Sequence, residues 1–257
     1  MAYTTIDKPS DYFETILWSS VDTSITGLDF QPDWVWIKSR TNADTQVLFD
    51  SVRGTGKRLS SSGTTAEQTK TDELTAFNSD GFTLGTGDNV NRASNNYVAW
   101  NWKAGTSFTN DASATGIGTI DSTGSVNDTA GFSIVSYTGT GSAGTIKHGL
   151  STVPKMIIVK NRDATQHWGV YHVGIGNTKH LRLNSTNAAS DSNNLWNNTT
   201  PTSSVFSVAG QDMVNKSGDD SIAYCFTEKK GYSKFGSYTG GSDPFVYLGF
   251  KPAFVMF

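Results

Sequence analysis

The residues able to do chemistry in this 257-residue chain are few and scattered. Arg53-Gly54-Thr55-Gly56-Lys57 has the glycines and lysine of a phosphate-cradling loop. Such a loop also needs a glycine five places before Gly56 and a Ser or Thr after Lys57, and the chain has Ser51 and Arg58 there. The segment reads instead as a turn between two strands, as does Gly174-Ile175-Gly176-Asn177-Thr178-Lys179 further on. Acid–base chemistry would use two carboxylates, or a histidine with an orienting partner. The four glutamates, Glu14, Glu67, Glu73 and Glu228, stand at unrelated positions, and the aspartates mostly fall in turns such as Asp80-Gly81 and Asp88-Asn89. Of the four histidines, His148, His167, His172 and His180, the middle two are five apart, a spacing that puts metal ligands on neither a helix face nor a strand face. Cys225 stands alone, so there is no intrachain disulfide and no cysteine cluster for a metal. Its setting, Ile222-Ala223-Tyr224-Cys225-Phe226, is that of a small apolar strand residue. What remains is the group Asp163, His167, Trp168, Tyr171 and His172, which mixes flat rings with polar groups as sugar-binding surfaces do. These five, with the loop residues Asn42 and Asp44, are the candidate glycan contacts. No catalytic residue, cofactor site or metal site is expected. The Asn-X-Ser/Thr triplets at Asn127, Asn184, Asn197, Asn198 and Asn215 are what an Asn-, Ser- and Thr-rich chain produces by chance.

The elements that must position these residues are strands. The chain holds 33 Thr, 30 Ser, 18 Asn and 26 Gly, about two-fifths of its length, and only 17% charged residues, so long helices are unfavourable. Aromatics reach 12%, with seven Trp, which suits pleated, half-buried surfaces and separates the chain from disordered sequences. The expected class is all-β, a tandem of β-sandwich (jelly-roll or lectin-like) units. Thr145-Ile146-Lys147-His148 and Ser203-Val205-Ser207 read as short strands. Thr138-Gly139-Thr140-Gly141, Ser79-Asp80-Gly81 and Ser217-Gly218-Asp219 read as turns. Thr64 to Phe77 reads as a helical turn. A net charge of −3 with dispersed Lys and Arg provides no field for a phosphate backbone, so nucleic acid is not an expected partner. No stretch is long and apolar enough to enter a membrane as a helix, and Met1 to Tyr12 lacks the pattern of an export signal.

Self-comparison organises the chain. Gly27-Leu28, Pro32, Lys38 and Arg40 recur 122 residues later as Gly149-Leu150, Pro154, Lys160 and Arg162, and Trp34-Val35-Trp36-Ile37 aligns with Met156-Ile157-Ile158-Val159. Further on, Val98-Ala99-Trp100-Asn101-Trp102 matches Ile222-Ala223-Tyr224-Cys225-Phe226 at a displacement of 124. The expected organisation is an N-terminal arm (1–10), a first sandwich repeat (11–104), a Gly/Ser/Thr-rich linker or long loop (105–130), a second repeat (131–230) and the start of a third, incomplete repeat (231–257). The last 27 residues are expected either to add strands to another layer or to be the visible part of a longer polypeptide. The loops Thr41-Asn42-Ala43-Asp44 and Asp163-Ala164-Thr165-Gln166 occupy equivalent places in the two copies.

Phe30-Gln31-Pro32-Asp33-Trp34-Val35-Trp36-Ile37-Lys38-Ser39-Arg40, Leu48-Phe49-Asp50-Ser51-Val52-Arg53-Gly54, Tyr97 to Lys103 and Gly131-Phe132-Ser133-Ile134-Val135-Ser136-Tyr137-Thr138-Gly139 resemble the repeat proteins of tailed phages of marine bacteria. Those are tail-fibre-like or uncharacterised virion proteins, and the resemblance runs from Asp11 over nearly the whole chain. It implies an oligomeric virion appendage or surface component and carries over no catalytic residue. With the repeated, turn-rich β units, the leading expectation is a non-enzymatic, tail-fibre-like appendage that attaches to host-surface glycan. The implied partners are other virion proteins, further copies of the chain (a trimer, by analogy with fibres) and host-surface polysaccharide. A capsid decoration or tail adaptor without receptor contact is one alternative. A polysaccharide depolymerase with a carboxylate pair between copies is another.

Overall fold

Strand alternation in Trp34-Val35-Trp36-Ile37 sends the two tryptophans to one face and Val35 and Ile37 to the other, and both faces are covered. That double burial is the organising feature of the molecule. The computed structural model describes residues 4–20, 23–191, 195–242 and 245–257. After a 3-10 turn at Pro9–Asp11, the first half forms β1 (Phe13–Ser19), β2 (Ser24–Thr26), β3 (Trp34–Ser39), β4 (Val47–Asp50), β5 (Lys57–Ser60), β6 (Gln68–Thr69), β7 (Leu74–Asn78), β8 (Gly81–Leu84), the helical turn α1 (Asp88–Asn91) and β9 (Asn96–Trp102). The second forms β10 (Thr106–Asn110), the helical turn α2 (Ala112–Thr115), β11 (Ser122–Asn127), β12 (Phe132–Thr138), β13 (Gly144–Lys147), β14 (Met156–Asn161), β15 (Gly169–His172), β16 (Lys179–Arg182), β17 (Ser190–Asp191), β18 (Val205–Val208), the helical turn α3 (Asp212–Asn215) and β19 (Asp220–Phe226).

All strand pairings are antiparallel. A six-stranded sheet runs β1-β9-β3-β4-β5-β6 and is covered on one face by the three-stranded sheet β2-β8-β7. An eight-stranded sheet runs β10-β11-β12-β19-β14-β15-β16-β17 and is covered by the pair β13-β18. The six strands of the second sheet from β12 to its β17 edge follow the same order as the first sheet. Each sandwich has its own core: Val35, Ile37, Phe49 and Phe82 in the first, and Ile157, Val159, Phe206 and Cys225 in the second. The outward faces of the two large sheets then pack on each other, so the molecule is a stack of four β layers. Trp34, Leu48 and Trp102 of the first sheet meet Phe132, Ile158, Trp168 and Tyr224 of the second at this seam.

The all-β class is as expected, and three finer expectations are corrected. Residues 105–130 are not a linker: β10 and β11 extend the second sheet at its edge, where polar side chains remain in solvent on one face and only the backbone needs a partner. Thr64 to Phe77 holds no helix. Leu74 and Phe77 join β7, paired with β8 through a turn at Asn78 to Gly81, where a side chain on Gly81 would run into the Ile25 carbonyl. The described part of 231–257 carries no strand, and Ala253 to Phe257 is not a buried strand, with Phe257 98% exposed. In both sheets the β1-type and β3-type strands pair with a strand between them, β9 or β19, and no such central strand meets this segment. Within the N-terminal arm, Ile6 is buried.

His148, just after β13, shows how completely the second core is closed. Its Nδ1 accepts the Leu150 N–H (3.2 Å) and its Nε2 faces the Thr202 carbonyl (3.1 Å), so these partners assign the neutral tautomer with hydrogen on Nε2. Burial pushes its pKa down from 6.5 to about 4, with the Thr202 carbonyl and Asp128 acting the other way. Above pH 6.5 the ring is neutral in both folded and unfolded chains. Between 6.5 and 4 the unfolded chain binds the extra proton, so stability falls with pH by up to about 3 kcal/mol. Urea unfolding at pH 7 and pH 4.5 should show a loss in the native chain that is markedly smaller in His148→Gln; equal losses would remove His148 as the cause.

Candidate functional site

The loops after β3 and β14 are built alike at their first turn. The Ser39 hydroxyl accepts the backbone N–H groups of Thr41 (3.3 Å) and Asn42 (3.1 Å). Asn161 Oδ1 accepts those of Asp163 (2.9 Å) and Ala164 (3.0 Å). A short polar side chain at the strand end thus takes up the donors that the turn leaves over. Each loop is then tied to the segment that follows a helical turn. In the first sandwich Asn42 Nδ2 donates to Asn95 Oδ1 (3.1 Å) and Arg92 pairs with Asp44 (3.0 Å). In the second, Asp163 Oδ2 accepts the Asp220 N–H (2.6 Å), and Asn161 Nδ2 donates to the Asp212 carbonyl and to Asp219 Oδ2 (2.9 Å each). The Asn161 contact heads the interactions that hold the Asp219 carboxyl below its ordinary range. The outcome is a pair of braced rims carrying amide and carboxylate groups, with Asn42 and Asp163 exposed.

The five-residue group read from Asp163 to His172 does not assemble into one surface. Trp168 is fully buried at the seam, donating from Nε1 to the Ser60 carbonyl (2.8 Å) and stacked toward Tyr224 at 6.5 Å. Tyr171 points to the opposite face, into the second core, where it meets Trp196 edge-on at 6.0 Å. The two-residue period of β15 forces this split: Val170 shares the seam with Trp168, and Tyr171 must face away. His167 bonds Asn184 (3.0 Å) in the loop, and His172 lies 6.4 Å from the Phe235 ring with burial lowering its pKa. Asp163, His167, Asn42 and Asp44 therefore stay on the accessible rims, and Trp168 and Tyr171 are core. Among the described residues no group of three or more His, Cys, Asp or Glu is placed to hold a metal ion, and no helix is long and apolar enough to cross a membrane. Cys225 lies in β19 with its thiol pushed up to about 12 by burial, a poor nucleophile at neutral pH.

The most organised polar constellation joins the two sandwiches, and residue patterns along the sequence do not disclose it. Arg53, in the turn after β4, has a fully buried side chain. It donates from Nε to Asp50 Oδ2 (2.6 Å) and from Nη1 to the Lys57 carbonyl (2.6 Å) and Glu67 (3.1 Å). Tyr224 of the second sheet donates its hydroxyl to the same Asp50 oxygen (2.7 Å). Glu67 in turn takes Arg162 Nε (2.9 Å) and Nη2 (3.1 Å). Burial opposes the charge on Arg53, but Asp50, Tyr224 and Glu67 outweigh it and raise the pKa. Glu67 is lowered against its own burial by Arg162 and then Arg53. Close by, the buried Lys160 ammonium shares its three hydrogens among four carbonyls, those of Asn161 (2.9 Å), Gln166 (3.0 Å), Thr64 (3.1 Å) and Ala164 (3.2 Å), the third of them from the first sandwich. These contacts tie the first sandwich to the second through matched charges and carbonyls.

The fold and these rims define an all-β, layered sandwich protein. The chain belongs to the family described as Domain of unknown function (DUF7483), whose model matches residues 8–257. Comparison with curated proteins and with solved structures finds no match.

Proposed function

We propose that the chain is a non-enzymatic structural component of a phage particle, a tail-fibre-like appendage that contacts host-surface glycan through its loop rims. The observation that supports this best is the seam. Two sandwiches joined by stacked rings and a buried ion-pair network make a stiff block, and the braced loops at Asn42, Asp44 and Asp163 are held out from it. A particle part that works outside the cell needs stiffness without disulfides, and further copies of the chain, a trimer in the fibre analogy, multiply weak single contacts into avidity. The resemblance to tail-fibre-like repeat proteins points the same way. In this reading the protein is assembled in the host cytoplasm with other virion proteins and exposed on the particle.

Competition for adsorption tests the proposal. Host bacteria preincubated with a saturating amount of the purified chain should retain the chain on their surface and adsorb phage several-fold more slowly. Unchanged adsorption with no retained protein would overturn attachment and leave decoration or adaptor roles.

A further inference from the structure

The end of β14 opposite Asn161 opens into a groove. Two concavities of about 480 and 390 Å³ adjoin there, and Lys155 and Glu228 line both. Each falls within the range of small-ligand sites, roughly 300–1,000 Å³. Lys155 is fixed by the sheet on both sides, its N–H donating to the Phe226 carbonyl (2.7 Å) and its carbonyl accepting from the Val173 N–H (2.8 Å). Glu228 is engaged by Lys234 (2.9 Å), and the Lys155 ammonium has no ion pair among the described residues. The smaller concavity is lined by Ser203, which is exposed, and by Thr227, whose own hydroxyl is buried against Gly131. The larger one is lined by Tyr247, a ring left 77% exposed.

We propose that this groove binds an acidic saccharide, an inference that rests on the attachment reading and names its ligand class. A serine hydroxyl and a carboxylate suit sugar hydroxyls, an exposed tyrosine ring suits a sugar face, and an ammonium with no ion pair among the described residues selects an anionic group. Uronate and sulfate sugars share that chemistry. The site is separate from the rims, since Lys155 precedes β14 and Asp163 follows it.

Calorimetric titration of the full chain with tetragalacturonate, a sulfated galactose tetrasaccharide, neutral cellotetraose and a tetraglutamate peptide tests it. Binding of at least one acidic tetrasaccharide is expected, about tenfold or more tighter than cellotetraose and than the peptide, and weakened by added salt. Lys155→Met should weaken it about tenfold or more with an unchanged thermal midpoint, Lys155→Arg should retain most of it, and Ser107→Ala, at an exposed position of β10 far from groove and rims in the chain, should leave it unchanged. Whichever acidic sugar binds tells uronate from sulfate. Equal binding by Lys155→Met, no preference over cellotetraose, or a peptide that binds as well overturns the groove. If the native chain is retained on host cells and slows phage adsorption but binds none of the acidic sugars, the groove fails while attachment stands. If the native chain binds neither cells nor any of these sugars, attachment itself fails.

Discussion

Arg53→Ala is expected to destabilise the folded chain by about 3–5 kcal/mol, the range for removing one partner of a buried ion pair. The loss does not come from one contact. Asp50 is fully buried and receives Arg53 Nε, the Arg53 backbone N–H (2.9 Å) and the Tyr224 hydroxyl. Without the guanidinium its carboxyl oxygens are left in a dry site with fewer donors, and Glu67 loses one of its two arginines. Because Tyr224 belongs to β19 and Asp50 to β4, the damage spreads to the join between the sandwiches. Asp50→Asn combined with Arg53→Met, which removes both charges, should recover part of the loss. Denaturant unfolding monitored by tryptophan fluorescence measures all three; a loss under about 1 kcal/mol in Arg53→Ala would show that the network contributes little.

Trp34→Ala should have a similarly large effect, about 3–5 kcal/mol, by opening a cavity in the middle of the seam. The indole is 1% exposed, its ring centre 4.4 Å from Tyr224 and from Trp102 and 5.8 Å from Phe132. It is the point at which the two large sheets touch through stacked rings. Its Nε1 has no hydrogen-bond partner among the described residues, so the position uses the ring for packing alone. Trp34→Phe should therefore lose much less than Trp34→Ala. A calorimetric scan of the native chain should show one transition, and Trp34→Ala should lower its midpoint by several degrees or split it in two. A single transition at the native midpoint in Trp34→Ala would mean that Trp34 contributes nothing to the join between the halves.

The class of fold was legible because composition reports backbone preference, and Thr, Val and aromatic residues punctuated by Gly turns have few other solutions. The short strands around Ile146 and Val205, and the strand setting of Cys225, were legible for the same reason. The seam was not. An apolar strand such as Met156-Ile157-Ile158-Val159 reads as buried whether one layer or two cover it, and the Trp34–Tyr224 pair is separated by most of the chain. Arg53 in Arg-Gly-Thr-Gly-Lys looks like a solvated turn residue, since no local pattern shows that Glu67 and Tyr224 close over it. Residues 105–130 concealed two strands because an edge strand with polar side chains has the composition of a loop. The candidate contacts separated according to period: neighbours in sequence around Trp168 and Tyr171 face opposite sides of β15, and the loop residues Asn42, Asp44 and Asp163 stayed accessible. The Lys155 groove draws on residues from 151 to 250 and has no compact motif to find.

The proposed function makes the chain a part that a particle carries outside the cell. Gold-labelled antibodies against the chain, imaged on intact phage particles from the source, test that claim directly. The account predicts label at fixed sites on the tail. Label on the head would replace the appendage with a capsid decoration, and particles bearing no label would contradict a virion role altogether.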